Sequence, residues 1–392
     1  MKKTTIVSSI FFLFIFSCLN RIVLAEEEIE PPYISSESAI LIDAKSGQVL
    51  YDKYSNNEMY PASTTKIATA IYAIEKGDLM DIVTISKNAR GTVGSSVYLD
   101  EGEEISLKKL IQGLVINSGN DAAVAIAEHI DGTVEQFSES INKYLKNKVG
   151  VSNTHFINPH GLFDPSHTTT ASDLAKITQY AMKNETFREI FGIKELEWNG
   201  QSWSTTLYTH HKLMREAPYE GVTGGKTGYV NESKFTLVTT AERENISLIV
   251  VVLKGSKEGI YDDTVELLDY GFNNFESTVI PKGKEFVTDE SEIFVSEDNL
   301  YFTQLLDEET KPELMNSGKL VIDQTFDQLD ISFHLAKKPV EVEEMNVPQI
   351  VKKNEQEDGT RTLSGFFLMI VIVEILAVSI LFSLKRFFKR PS

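Results

Sequence analysis

The stretch "YPASTTKIAT" (60–69) sets a serine three places before a lysine, where an apolar-periodic segment begins. Residues three or four apart on a helix share a face, so Ser63 and Lys66 can form a nucleophile and the amine that takes its proton. The same letters also describe a capped helix start followed by a surface lysine. The spacing recurs at Ser106/Lys109 and Ser140/Lys143, both among polar residues on amphipathic segments, so it decides nothing alone. Two further clusters follow in order, Ser118-Gly119-Asn120 and Lys226-Thr227-Gly228. Lys45-Ser46-Gly47 mimics the last, but it precedes the candidate nucleophile and fits a hairpin turn. One set alone falls in order with a helix start, an inter-helix break and a strand around its members. Three weak signals in that order make a strong one.

The elements that must position these residues are legible from periodicity. "AILIDAKSGQVLYDKY" (39–54) reads as a β-hairpin. A helix is expected from Ser63 to about Lys76. Residues 106–130 read as two helices separated by a polar break at 117–120, with Asn120 or Asp121 able to cap the second. "TVEQFSESINKYLKNKVG" and "TASDLAKITQYAMKN" are further amphipathic helices. "GGKTGYV", "KFTLVTTAER" and "ISLIVVVLKG" are β-rich, and "DDTVELLDYGFNNF" is helical. A hairpin, a block of helices, then strands and a last helix predict an antiparallel β-sheet flanked by helices, an α+β domain over 34–275. Short alternating strands follow in 276–340, the pattern of a small β-sandwich. Residues 276–344 carry 17 acidic and 6 basic side chains, a net of −11, and show no catalytic cluster.

The two ends of the 392-residue chain read as membrane signals. Lys2 and Lys3, an apolar run to Leu19 and "VLA" before Glu26 have the layout of a signal peptide over 1–25. Cleavage there removes Cys18, the single cysteine, and leaves no disulfide or thiolate chemistry. Residues 341–364 are charged and poor in aromatics, a linker. "GFFLMIVIVEILAVSILFSL" (365–384) is roughly 30 Å long as a helix, enough to span a bilayer. The basic tail 385–392 keeps that end cytoplasmic. The catalytic part is then extracytoplasmic and tethered as a single-pass protein. A net charge of −19 without a basic stripe argues against nucleic-acid binding.

With its three ordered clusters the sequence resembles the serine D-alanyl-D-alanine carboxypeptidases, the low-molecular-weight penicillin-binding proteins. The likeness runs from about Ser38 to Phe275 and includes "INSGNDAAVAIAEHI", "THFINPHGLFDPSHTTTASDLA" and "GGKTGYV". It implies a β-lactamase-like transpeptidase fold. It also implies removal of the terminal D-alanine from peptidoglycan stem peptides ending in D-Ala-D-Ala, covalent inhibition by β-lactams, and no cofactor or metal. By the resemblance Ser63 is the nucleophile and Lys66 its base. An ordinary lysine is protonated at pH 7, but burial and the charge of Lys226 push its pKa down. Ser118 relays protons to the leaving amine, and Asn120 holds the substrate amide. Lys226 and Thr227 bind the terminal carboxylate, Gly228 lets the backbone approach, and the N–H groups of Ser63 and Tyr229 form the oxyanion hole. One departure follows, since "NESKF" (231–235) stands where a small, Gly-containing segment is expected, which bears on strand-edge contacts. His160, His167, His210 and His211 lack the Cys or acidic companions of a zinc site; His160 reads as a loop brace. Two rival readings are a class A-like β-lactamase and a non-catalytic wall-binding receptor on the same fold. The first lacks a Glu-x-x-Leu-Asn pattern in 155–185, and the intact Ser/Lys/Ser/Lys set disfavours the second.

Overall fold

The run "ISLIVVVLKG" is apolar at nearly every position, as expected of a strand buried on both faces. In the computed structural model, which describes residues 29–339 other than 202, 307, 325, 327 and 328, it is the central strand of the main sheet. The signal segment 1–25, the linker 341–364, the apolar run 365–384 and the tail 385–392 lie outside the described residues. Among the described residues no helix is long and apolar enough to cross a membrane.

Strands β1 (Ser38–Asp43) and β2 (Val49–Lys53) form the N-terminal hairpin. Short pairs β3 (Ile82–Thr84) with β4 (Glu104–Ser106), and β5 (Glu195–Asn199) with β6 (Ser204–Tyr208), sit within and after the helical block. β7 (Val222–Val230), β8 (Lys234–Arg243) and β9 (Ile246–Gly255) complete an antiparallel sheet of order β2-β1-β9-β8-β7. Successive side chains of a strand point to opposite faces. Accordingly Ile249, Val251 and Leu253 join the core shared with helices Lys66–Lys76, Leu107–Ile116, Asn120–Asp131 and Ala171–Ala181. Leu248, Val250 and Val252 face the helix Gly259–Asn274 instead. The sheet is thus a plate between two helical layers, and β7 is left as its edge.

Several sequence expectations need correcting. Ser63 lies in a 3₁₀ turn, Ala62–Thr65, and the α-helix starts only at Lys66. Neither Asn120 nor Asp121 caps the following helix; Gly119 is its N-cap, without a side-chain cap bond. Both side chains are instead drawn inward by partners distant in sequence. Among the described residues the β-rich region after the last helix holds three small antiparallel sheets. It begins without a joint: Phe275 ends the helix Gly259–Asn274 and opens strand β10 (Phe275–Ile280), which pairs with Leu300–Leu305. Ile280, Phe294, Phe302, Leu320 and Ile322 form its own apolar core.

Candidate active site

The 3₁₀ turn explains how Ser63 meets Lys66. With three residues per turn, side chains at i and i+3 eclipse, and Lys66 Nζ lies 3.0 Å from Ser63 Oγ. The Lys66 side chain is wholly buried, and Ser63 is half-buried. Lys66 Nζ also donates to Asn120 Oδ1 at 2.8 Å and to the carbonyl of His160 at 2.7 Å. Asn120 is fixed in that orientation because its Nδ2 donates to Val93 O at 2.7 Å. Burial holds the Lys66 amine well below its ordinary pKa, the charge of Lys226 adds to this, and Asp121 opposes it. A neutral amine has two N–H bonds and one lone pair. Two carbonyl oxygens that can only accept take the two N–H bonds, and the lone pair is left for the Ser63 hydroxyl. This is the arrangement a general base requires.

Lys226 is the second buried lysine, 3% exposed, and burial alone lowers its pKa to about 7. Its Nζ donates to Ser118 Oγ at 3.1 Å and to Thr227 O at 3.0 Å. Ser118 sits at φ +59°, a strained value for serine. Ser63, Ser118, Thr227, Gly228 and Tyr229 line one cleft of about 350 Å³, together with Ser95, His210, Lys212, Lys257 and Tyr261. A Cβ on Gly228 would stand 2.8 Å from Ser63 N, so only glycine lets β7 lie this close to the nucleophile. All eight predicted residues are therefore gathered: Lys66 and Asn120 by direct bonds, Lys226 through Ser118, and the β7 residues along the cleft wall. The 231–233 turn closes despite lacking glycine, because buried Ser233 Oγ accepts from Val230 N and donates to Lys234 O.

The look-alikes resolve into bland roles. Ser106 Oγ caps its helix by accepting from Lys109 N, while Lys109 packs over the Trp198 ring. Lys143 is exposed. Ser46 belongs to the β1–β2 turn and faces the β-rich domain. Among the described residues no three His, Cys, Asp or Glu side chains assemble as a metal-ligand set.

A family model described as D-alanyl-D-alanine carboxypeptidase matches residues 25–257. The chain belongs to the D-alanyl-D-alanine carboxypeptidase family. The chain is 36% identical over 262 residues to the D-alanyl-D-alanine carboxypeptidase DacF of Bacillus subtilis, covering 64% of this chain and 66% of that one. It is 32% identical over 329 residues to DacA of Haemophilus influenzae, covering 77% and 76%. Penicillin binding protein 5 from Haemophilus influenzae superposes with a TM-score of 0.70 at 29% identity, covering 79% of this chain and 98% of that one. The chain is a serine-type carboxypeptidase with the α+β fold of these relatives.

Sequence reasoning on this carboxypeptidase missed the groups that hold the site from behind. His160 contributes its carbonyl, not its ring, to Lys66; the ring Nδ1 accepts from Leu162 N and braces the loop. His167 is neutral, its pKa lowered to about 3, chiefly by burial. Its Nδ1 accepts from Ile157 N, so Nε2–H donates to Thr65 Oγ1 at 2.9 Å, and Thr65 donates onward to Ala62 O at 2.8 Å. That chain fixes Ala62, at φ +49°, directly before Ser63. Thr236 Oγ1 of β8 donates to Pro61 O at 3.0 Å and ties the same turn to the sheet. His211 packs under Gly225, beside Lys226, and pairs with Thr239 Oγ1 at 2.7 Å. The motif "FINPHGLFDPSHTTT" signalled a special loop, but nothing in its spacing said which atoms face the lysine.

Proposed function

We propose that this chain removes the terminal D-alanine of peptidoglycan stem pentapeptides through an acyl-enzyme on Ser63. The observation that carries the reading is the buried Lys66 amine, 3.0 Å from Ser63 Oγ, with Asn120 Oδ1 and the His160 carbonyl as acceptors for its two N–H bonds when it is neutral. Lys66 takes the hydroxyl proton as Ser63 Oγ bonds to the carbonyl carbon of the penultimate D-alanine. The resulting oxyanion lies at the Ser63 and Tyr229 N–H groups, each such donor being worth about 3 kcal/mol. Ser118, hydrogen-bonded to Lys226, gives its hydroxyl proton to the amine of the departing D-alanine and recovers one from Lys66, the proton first taken from Ser63, so the C–N bond breaks and Lys66 is neutral again. Lys66 then takes a proton from water, whose oxygen attacks the ester, and Ser63 leaves with that proton. Lys226 and Thr227 hold the substrate's terminal carboxylate.

β-Lactams mimic the same acyl donor and acylate Ser63. A class A-like β-lactamase needs a carboxylate to activate the deacylating water. Neither aspartate nor glutamate lines the described cleft, which supports a persistent adduct instead. The reading places the catalytic unit on the outer side of a bacterial membrane, tethered by the 365–384 segment; its support is the apolar run and the basic tail that follows it.

Mass spectrometry of the purified protein with a D-Ala-D-Ala pentapeptide tests the activity, the expected product being the tetrapeptide. Tryptic mapping after penicillin labelling is expected to place the adduct in the peptide containing "YPASTTK". An adduct at Ser106 or Ser140, or an unlabelled protein, would overturn the assignment.

A further inference from the structure

Ser95 lines the cleft with the β7 residues, and the segment 93–99 that carries it is tied down from several sides. Ser95 O accepts from Asn120 N at 2.7 Å, and Ser96 O accepts from Asn117 Nδ2 at 2.8 Å. The buried Asp121 carboxylate accepts from Val97 N at 3.0 Å, from Leu99 N at 3.2 Å and from the Ser96 hydroxyl. Between the two clamped amides stands Tyr98, at φ +58°. Its own N–H donates to Ser96 Oγ at 2.9 Å. A bulky residue in the left-handed region costs roughly 1–2 kcal/mol. Packing does not return that cost, because the Tyr98 side chain is 62% exposed. The ring instead meets Trp203, from the β5–β6 turn, edge-on at 4.8 Å between centroids. Trp203 is half-buried, its other side against the core. The strained backbone thus holds an exposed ring against Trp203, on the segment whose Ser95 lines the cleft. Ser95 lines that cleft, and three residues of chain carry the Tyr98 Cα at most about 11 Å from that of Ser95.

Resting on the carboxypeptidase reading, we propose that Tyr98 and Trp203 form a subsite for the sugar ring that carries the stem peptide. An extended peptide advances about 3.3 Å per residue. The first residue of a pentapeptide, and the sugar beyond it, therefore lies roughly 10–14 Å from the scissile bond by the same rise, a length comparable with the at most about 11 Å between Tyr98 and the cleft-lining Ser95. The C–H face of a sugar stacks on aromatic rings while its hydroxyls stay in water, and the phenol and indole offer both kinds of contact. Two rings offer at most a few hundred Å², far short of the roughly 800 Å² per partner of a stable protein interface. The platform suits one or two sugars.

The test compares release of D-alanine from a free pentapeptide and from the same pentapeptide carried on N-acetylmuramic acid, using the full-length protein in detergent. The wild type is expected to favour the sugar-linked substrate about tenfold in kcat/KM, expressed in KM. Tyr98→Asn keeps a residue that tolerates the left-handed backbone and removes the ring. It should bring the ratio to about one and leave the free-peptide rate unchanged; Tyr98→Phe should keep the preference. A wild-type ratio near one, or equal loss on both substrates in Tyr98→Asn, overturns the subsite. If the wild type cleaves neither substrate, the carboxypeptidase reading fails separately. Tryptophan fluorescence then still decides: sugar-linked peptide quenches wild type and not Tyr98→Asn, or the subsite is wrong.

Discussion

The two lysines of the site differ in what their protons must do. In the proposed mechanism Lys66 serves when neutral and Lys226 when charged, so their titrations act in opposite directions. Acylation rises with pH as Lys66 gives up its proton, a limb displaced far below the ordinary lysine range by burial. Above about 7 the free enzyme loses the Lys226 charge proposed to hold the carboxylate, and kcat/KM is expected to fall again. Arginine stays charged throughout. Lys226→Arg is therefore expected to retain part of the activity and to lose the alkaline fall, whereas Lys66→Arg, unable to become a base, retains none. Lys66→Ala should cost about 10²–10⁴-fold in acylation even at saturating substrate. Lys226→Ala should cost roughly 1.5–3 kcal/mol, mainly in KM. Stopped-flow acylation against pH, on all four variants, checks this; similar profiles for the two arginine variants would reverse the roles. At this scale the sequence was informative because each motif carries its own chemistry in its letters. The carbonyl of His160 and the His167–Thr65 relay were not legible, since a backbone oxygen and a neutral ring leave no signature in composition.

At the scale of elements, the site depends on where turns meet rather than on any helix. Gly161, at φ +84°, passes so close to the nucleophile turn that a Cβ there would lie 1.8 Å from Ala62 O. Gly161→Ala must therefore push the 62–65 turn away from Lys66. The variant is expected to fold with a lowered Tm and to lose most penicillin acylation, read by gel fluorescence after labelling. Wild-type labelling would show that the turn has slack. Strand and helix positions were legible because apolar periodicity reports burial directly. The Asn120/Asp121 cap was not, since the same short polar side chains serve equally as caps and as long-range anchors. Asp121 takes backbone amides at Val97 and Leu99, more than twenty residues earlier, and only the fold reveals that choice.

At the scale of the molecule, the catalytic and β-rich parts meet through buried polar bonds. Asp43 is fully buried and accepts from Ser277 Oγ at 2.8 Å and from Thr303 Oγ1 at 2.8 Å, besides Lys45 N at 2.8 Å in its own turn. Gln48 accepts from Thr303 N and donates to Leu329 O, and Leu329 lies in the same apolar cluster as Leu248 and Phe275. Asp43→Ala leaves buried donors without an acceptor, at about 1–3 kcal/mol each. The expected result is a Tm several degrees lower by calorimetry with unchanged kcat in the folded fraction; an unchanged Tm would mean that the bonds add nothing. The full chain is further expected to stay with membranes through salt and alkaline washes, since a spanning helix does not depend on charge; release by salt would indicate surface attachment. The existence of a second β-rich part was legible from its loss of helical period and its charge. The sequence placed its start at residue 276, and the helix gives way to β10 at Phe275, which serves both sides. That double service leaves no residue free to swivel. A fluorophore attached at Met315→Cys and one bound in the cleft are expected to report the same rotational correlation time, because no linker separates the two parts; a faster tumbling probe on either part would show a hinge. Any change in where the cleft points must turn both parts together, so aim is set by how the whole body is held.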